Sequence, residues 1–126
     1  MLYKIGDFSK KINLPVKTLR YYDEINLFKP KEIDLFTGYR YYSEDQIKDI
    51  ELIILLKDVG FTLEEIKKNW DNFTNETMLK KREELLQETK IIEEKVRKID
   101  YLRSNIVNNK IQLDYKYVPI KVKKIR

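Results

Sequence analysis

The sequence predicts a mainly helical protein with one small β-hairpin and a long helix toward the carboxyl end. Two short amphipathic helices meet at a tight turn near the start, and an aromatic run beside Gly38 has strand propensity. Between residues 76 and 108 there is no proline or glycine, and apolar residues recur every seven positions. These features indicate a domain over residues 1–75, a coiled-coil helix over 76–108 and a short tail over 109–126.

Charge is unevenly distributed along the 126 residues. Residues 1–42 carry 8 Lys/Arg against 5 Asp/Glu, residues 43–76 carry 4 against 9, and residues 77–126 carry 14 against 7. The two ends are therefore basic around an acidic middle. The net charge of +5 favours a polyanionic partner.

Composition also excludes several classes of protein. The chain has no cysteine and no histidine, so disulfides, Cys/His zinc sites and nucleophilic triads that need either residue are excluded. An enzyme is the least expected class, and neither a metal nor a cofactor is expected. No window approaches 18 apolar residues and no signal-peptide core is present, so we expect a cytoplasmic protein without a membrane span.

The first two helices form a helix-turn-helix pattern. The first is predicted to open at residues 3–8, where apolar side chains begin to recur at helical spacing. Asn13 tolerates the left-handed conformation of a tight turn, and Pro15 suits the start of a helix. The second helix is predicted over residues 16–25, which completes the motif.

The second of these helices is the candidate recognition helix, which would enter the major groove of DNA. Lys17, Arg20 and Tyr21 share one side of it, because positions i, i+3 and i+4 are neighbours on a helix. An arginine can read guanine or clamp a phosphate, a tyrosine can donate to a phosphate, and the hydroxyl of Thr18 suits a phosphate. Each of these residues alone is more often a packing or solvated residue than a DNA contact; only the cluster indicates DNA binding.

A small two-stranded wing is predicted after the recognition helix. Residues 32–34 and 39–42 flank a turn at residues 35–38, in which glycine supplies the turn geometry. We expect Tyr42 to anchor the hairpin to the core and Arg40 not to do so. The residues expected to reach the DNA backbone are Tyr39, Arg40 and Tyr41.

Two capping boxes predict the next two helices. Ser43 with Gln46 opens a helix that is apolar nearly all round, and we expect it to be the most buried helix of the domain. Gly60 is the predicted residue after its end. Thr62 with Glu65 then opens a short helix.

The long helix carries one narrow apolar stripe among highly charged faces. A stripe of that width indicates one partner helix, so we expect a homodimer. A helix folded back on its own domain is the alternative, and Asn108-Asn109 is predicted to end the helix. The candidate dimerisation residues are Leu85, Ile92, Val96, Ile99 and Ile106.

The tail has two possible interpretations. Residues 111–118 alternate as a strand does, and the chain ends in the basic run 123–126. The tail is either the first strand of a domain that is absent or a basic extension.

The order of these motifs resembles the MerR family of transcription regulators. The resemblance is carried by residues 3–8, by Thr18-Leu19-Arg20-Tyr21-Tyr22-Asp23-Glu24, by Gly38-Tyr39-Arg40-Tyr41-Tyr42, and by the apolar helix that ends at Gly60-Phe61. It covers about residues 1–70 and extends through the long helix.

The resemblance implies a winged helix-turn-helix domain on an antiparallel coiled-coil dimer. Such dimers bind promoter DNA with an overlong spacer and distort it so that RNA polymerase can use both promoter elements. The DNA contacts would come from Lys17, Thr18, Arg20, Tyr21, Tyr39, Arg40 and Tyr41.

The resemblance also bears on the signal that the protein answers. The lack of cysteine excludes the metal- and redox-sensing branches. The tail is similar to the entry strand of the effector-binding domain in multidrug-responsive members. The rest of that domain is missing, so the chain is either truncated or naturally short, and the effector small molecule is unknown.

Two other functions stay open. A coiled-coil protein-interaction module would give no sequence-specific footprint and a weak salt dependence. An effector-less DNA-bending protein similar to an excisionase would bind away from promoters.

Overall fold

The computed structural model describes residues 1–113, which fall into two compact units. The first unit is Met1–Phe73, and the second begins at Thr74. None of the helices in the described part of the chain is long and apolar enough to cross a membrane. The basic run at 123–126 and most of the strand predicted at 111–118 lie outside the described residues.

Four helices and a three-stranded antiparallel sheet make up the first unit, in the sheet order β1-β3-β2. Their bounds are β1 Leu2–Lys4, α1 Ile5–Ile12, α2 Val16–Glu24, β2 Glu32–Ile33, β3 Arg40–Ser43, α3 Ile47–Asp58 and α4 Leu63–Lys68. The predicted wing is present as β2 and β3, and the predicted mainly helical, winged helix-turn-helix class is confirmed.

The prediction that residues 3 and 4 open the first helix is wrong. They belong to β1, in which Tyr3 lies opposite Tyr42 and Lys4 lies opposite Tyr41. Pairing with β3 uses the backbone N–H and C=O groups of these residues and adds a strand to the wing. The helical spacing of the next apolar residues hid this long-range pairing.

The helix-turn-helix turn forms as its residue types predict. Asn13 adopts φ 54° and ψ 49°, which is left-handed, and its N–H donates to the carbonyl of Ser9. Pro15 caps α2 at φ −58°, and its carbonyl accepts from the N–H groups of Thr18 at 3.0 Å and Leu19 at 3.2 Å. The recognition helix therefore begins where predicted and ends one residue earlier.

An aromatic stack forms the centre of the core. The ring centroids of Phe8 and Tyr42 are 4.7 Å apart, and those of Phe28 and Tyr42 are 5.7 Å apart, with the rings nearly parallel. Tyr42 is fully buried, which agrees with its expected role as the anchor of the hairpin. The buried apolar residues are Phe8, Leu19, Tyr22, Phe28, Tyr42, Ile50, Ile53, Leu56, Phe61 and Ile66.

α3 is less buried than its sequence predicts. Its core face carries Ile50, Ile53 and Leu56, whereas Leu52 and Leu55 are 44% and 61% exposed. Within the first unit only one face of this helix meets the core. Three of its 12 residues are buried, against three of nine in α2, so the expectation that α3 is the most buried helix of the domain is wrong.

Both capping boxes and the glycine terminator are present. The N–H of Ser43 donates to the side chain of Gln46 at 2.9 Å, although the first turn, Glu44–Gln46, is a 3₁₀ helix. The N–H of Thr62 donates to Glu65 at 2.9 Å, and the side chain of Thr62 accepts from Glu65 N–H at 3.1 Å. Gly60 follows α3 at φ 104°.

The described part of the second unit is a long helix followed by a small hairpin. Helix α5 spans Asn75–Ser104 and is capped by the side chain of Thr74, which accepts from the N–H of Thr77 at 3.2 Å. Its 30 residues correspond to a length of about 45 Å. None of its residues is buried within the described part of the chain.

The end of the long helix differs from the prediction. Strands β4, Ile106–Val107, and β5, Lys110–Ile111, pair around Asn108 at φ 52° and Asn109 at φ 62°. Two successive left-handed residues make the type of two-residue turn that suits a hairpin. The helix therefore ends at Ser104 rather than 108, and Ile106 lies on a strand and not on the helical stripe.

Candidate nucleic-acid interface

Arg20 stands between two grooves on the surface of the first unit. The first groove has a volume of about 390 Å³ and the second about 470 Å³. The first is lined by the start of α1, by Arg20 and by the wing, with Lys4, Ile5, Gly6, Asp7, Gly38, Tyr39 and Arg40 as the other lining residues. The second is lined by one face of α2, with Val16, Lys17, Arg20, Tyr21 and Glu24.

The exposed face of α2 brings together three of the predicted contact residues. Lys17, Arg20 and Tyr21 line the same groove, as their helical spacing predicts. Tyr21 is 48% exposed, so about half of its surface is open to a ligand. Thr18 is half-buried and lines neither groove.

The opposite face of α2 fixes the helix to the core. Leu19 and Tyr22 are buried there, and burial raises the pKa of the Tyr22 hydroxyl. One side of the helix is therefore packed against the core, while its basic side stays open to solvent.

Asp23 joins the recognition helix to the wing. One oxygen of its carboxylate, Oδ1, accepts from Lys29 Nζ at 2.9 Å, and the other, Oδ2, accepts from Arg40 Nε at 2.9 Å. Burial favours the neutral acid, but the hydrogen bonds and positive charges of Lys29 and Arg40 outweigh it. Together they lower the pKa of Asp23. The carboxylate is therefore ionised at neutral pH and bound by both cations.

This contact corrects the prediction for Arg40. The expectation that Arg40 does not anchor the hairpin is wrong, because its Nε is bound to Asp23 and its side chain is only 33% exposed. The expectation that Arg40 contacts DNA stays a prediction. Arg40 also lines the first groove. The contact spans 17 residues of sequence, so no local pattern indicates it.

The wing presents its two other candidates differently. Tyr39 is 52% exposed and lines the first groove, where the Nζ of Lys4 lies 5.0 Å from the centre of its ring. Tyr41 is half-buried, lies between Lys4 and Glu32 in the sheet, and lines neither groove. The structure therefore brings Tyr39 to the basic face and leaves Tyr41 within the sheet.

Lys4 is a member of the site that the sequence reasoning missed. The pairing of β1 with β3 brings its side chain against Tyr39, beside Arg20 and Arg40. The sequence signal is weak, because an isolated lysine before a helix is usually only solvated. Recognition of β1 as a strand would have placed it on the wing.

The Tyr42 hydroxyl lies behind this face. It is buried and has no hydrogen-bond partner among the described residues. Burial and the negative charge of Asp23 raise its pKa to about 12. The hydroxyl is therefore neutral at physiological pH.

The chemistry offered by the two grooves is that of an anion-binding surface. Arg20, Arg40, Lys4 and Lys17 supply cationic donors, which suit phosphate oxygens and the acceptor edge of guanine. Across the described residues, no cluster of three or more His, Cys, Asp or Glu side chains could hold a metal ion.

A helix-turn-helix whose second helix is bound to a wing and carries cations on its open face defines a winged helix-turn-helix protein. Residues 3–72 match the family described as MerR HTH family regulatory protein, and the chain belongs to this family. The resemblance carried by its motifs is thereby confirmed.

Known relatives agree with this assignment. The chain is 51% identical over 69 residues to the multidrug-efflux transporter 1 regulator of Bacillus subtilis (strain 168), covering 55% of this chain and 25% of that relative. It therefore spans about a quarter of the length of that regulator. The matched family and this relative are both described as regulators. This agrees with the prediction that the chain is a transcription regulator rather than an enzyme.

Solved structures show the same architecture. The N-terminus of MtaN, the Bacillus subtilis multidrug transporter activator, superposes with a TM-score of 0.69 at 30% identity, over 78% of this chain and 94% of that one. EcmrR, from the EcmrR–DNA complex in EcmrR-RPo, superposes with a TM-score of 0.73 at 31% identity. That match covers 82% of this chain and 39% of EcmrR.

Proposed function

We propose that this chain is a transcription regulator that binds promoter DNA sequence-specifically as a homodimer and distorts DNA with an overlong promoter spacer. The observation that carries the proposal is the open face of α2, where Lys17, Arg20 and Tyr21 line one groove. The cytoplasm is the proposed location, because the chain is similar to a regulator of Bacillus subtilis, and promoter DNA lies in the cytoplasm of a bacterium.

The recognition helix would read the major groove, and the wing would hold the backbone beside it. Arg20 lies between the two grooves, so its guanidinium can reach either a guanine edge or a phosphate. Lys17, Lys4 and Tyr39 carry phosphate-type donors on either side of it. Thr18 and Tyr41 are half-buried, which makes them weaker candidates than the sequence suggested.

The stripe on α5 would pair two copies. Leu85, Ile92, Val96 and Ile99 are between 40% and 58% exposed on a helix with no buried residue among those described. Pairing with a second stripe would remove this apolar surface from water at about 25 cal/mol per Å². Because Ile106 lies on β4, the proposed helical seam ends at Ile99.

Dimerisation and distortion are linked in this proposal. Two linked recognition helices bind half-sites about one helical turn of DNA apart, roughly 34–36 Å. When the operator spacing differs from the spacing of the two helices, the DNA must bend or untwist to satisfy both, at a cost of about 1–6 kcal/mol. RNA polymerase would then be a partner on the same promoter. The structural relative EcmrR was solved as a complex with DNA, which supports a DNA partner for this chain.

The test begins with selection of duplexes from a random library by the full chain. Affinity is then measured for the selected two-half-site duplex, for one half-site and for a scrambled duplex at several salt concentrations. We expect the two-half-site duplex to bind at least tenfold tighter than the half-site, with a steep salt dependence. Equal, weak binding to all three by a folded dimer would contradict the proposal and favour the interaction module.

A further inference from the structure

The turn between β2 and β3 presents two apolar side chains to solvent. Phe36 is 100% exposed and Leu35 is 94% exposed, the largest values among the large apolar residues in the described part of the chain. Neither side chain contributes to the core, so neither is explained by the stability of the fold.

The turn is held in one conformation by its own hydrogen bonds. Oδ1 of Asp34 accepts from the N–H groups of Phe36 at 2.8 Å and Thr37 at 3.2 Å, and its carbonyl accepts from Gly38 at 2.7 Å. The N–H of Asp34 donates to the carbonyl of Tyr39 at 2.9 Å. A turn ordered in this way loses little backbone entropy when its apolar tip enters a binding site.

The tip is continuous with the proposed DNA interface. Gly38, Tyr39 and Arg40 follow it after one residue, Thr37, and line the first groove with Arg20. Arg40 is bound to Asp23 of the recognition helix, so the wing cannot swing away without breaking that ion pair. Oδ1 of Asp34 accepts from two N–H groups of the turn itself, so this carboxylate is bound within the turn.

We propose that Leu35 and Phe36 form an apolar wedge that enters the minor groove beside the recognition helix and unstacks a base step there. Proteins that distort DNA commonly insert phenylalanine or leucine in this way, because the kink allows more of the protein surface to contact the duplex. The inference rests on the proposed function and deepens it by naming a source of the distortion at the flank of each half-site.

The test uses the full chain and the duplex that it selects, with 2-aminopurine placed in turn at each flanking position. Wild-type protein is expected to raise the fluorescence at one position, because unstacking relieves its quenching. Phe36→Ala should abolish the rise and weaken binding about tenfold, the size of one lost base–aromatic contact. The salt dependence should not change, because Phe36 carries no charge.

Two matched variants complete the design. Phe36→Leu keeps an apolar tip and should retain part of the fluorescence rise. Leu55→Ala removes an apolar side chain that is 61% exposed on α3, away from both grooves, and should leave the rise unchanged.

Three results would overturn the wedge. The first is tight, specific binding by the wild type with no fluorescence rise at any flanking position, and the second is an unchanged rise in Phe36→Ala. The third is a Phe36→Ala variant that binds and distorts DNA normally yet loses promoter activation, which would assign the tip to a protein contact. Failure of the wild type to prefer any duplex would instead refute the proposed function, and the wedge with it.

Discussion

Asp23 on the recognition helix accepts a hydrogen bond from Arg40 on the wing, with 2.9 Å between Oδ2 and Nε. The other carboxylate oxygen binds Lys29, so a single buried group holds the wing and the segment after the helix against α2. The angle between α2 and the wing therefore depends on this carboxylate. Both of these elements are proposed to contact DNA.

Replacing Asp23 with asparagine should destabilise the first unit by about 1–2 kcal/mol, because two charge-assisted hydrogen bonds lose their anion. The expected loss is at the low end because Lys29 and Arg40 are partly exposed. Urea unfolding of the full chain measures the change. Asp100→Asn, which removes an exposed ion pair with Arg103, is the matched control and should change stability by less than about 0.5 kcal/mol.

The same carboxylate should make stability depend on acid pH. The pKa of Asp23 is lower in the folded protein than its ordinary value of 3.8, so its contribution is complete above that value and is lost as pH falls through the folded pKa. The difference in unfolding free energy between the wild type and Asp23→Asn should therefore be constant from pH 7 to about 5 and shrink below about pH 4. A difference that stays the same at about pH 3 would show that Asp23 acts through packing and not through charge.

Arg20 is expected to carry sequence discrimination. Arg20→Ala should cost about 1–3 kcal/mol of affinity for the selected duplex and much less for random DNA, as measured by fluorescence anisotropy. Lys17→Ala should weaken binding to both and lower the salt slope by about one. Lys48→Ala, an exposed lysine on α3 outside both grooves, should leave affinity unchanged. An equal loss for selected and random DNA would reduce Arg20 to a phosphate contact.

Dimerisation should depend on the stripe of α5 and not on its other faces. Ile92→Asp places a charge in the proposed seam, and sedimentation should show a monomer that no longer binds the full site. Ile91→Asp is the matched control, because Ile91 is 54% exposed against 58% for Ile92 but lies outside the seven-residue repeat. Undiminished binding to the full site by a monomeric Ile92→Asp protein would refute the coiled-coil proposal.

Local sequence signals predicted the elements whose geometry is fixed by neighbouring residues. Asn13 and Pro15 determine the turn before α2, and the pair Thr62 and Glu65 determines the start of α4. The exposed cluster on α2 followed from helical spacing alone. These features need no information from distant parts of the chain.

The wrong predictions have two causes: contacts between residues far apart in the sequence, and competition between two local sequence patterns. β1 forms only because it pairs with β3, some forty residues away. The Asp23–Arg40 contact joins two elements, and no local sequence pattern in either of them indicates the other. The seven-residue repeat continues through Ile106, although Asn108 and Asn109 also fit a two-residue hairpin turn. The two asparagines form a hairpin turn there, and the helix ends before Ile106 although the apolar repeat continues through it.

The central claim is that two paired copies bind and distort one promoter site. The most direct measurement is a footprint of the purified full chain on the DNA upstream of its own coding sequence, at two salt concentrations. The proposal predicts protection across an overlong promoter spacer, with enhanced cleavage at its centre and weaker protection at high salt. A folded dimer that protects no sequence at either salt concentration would contradict it.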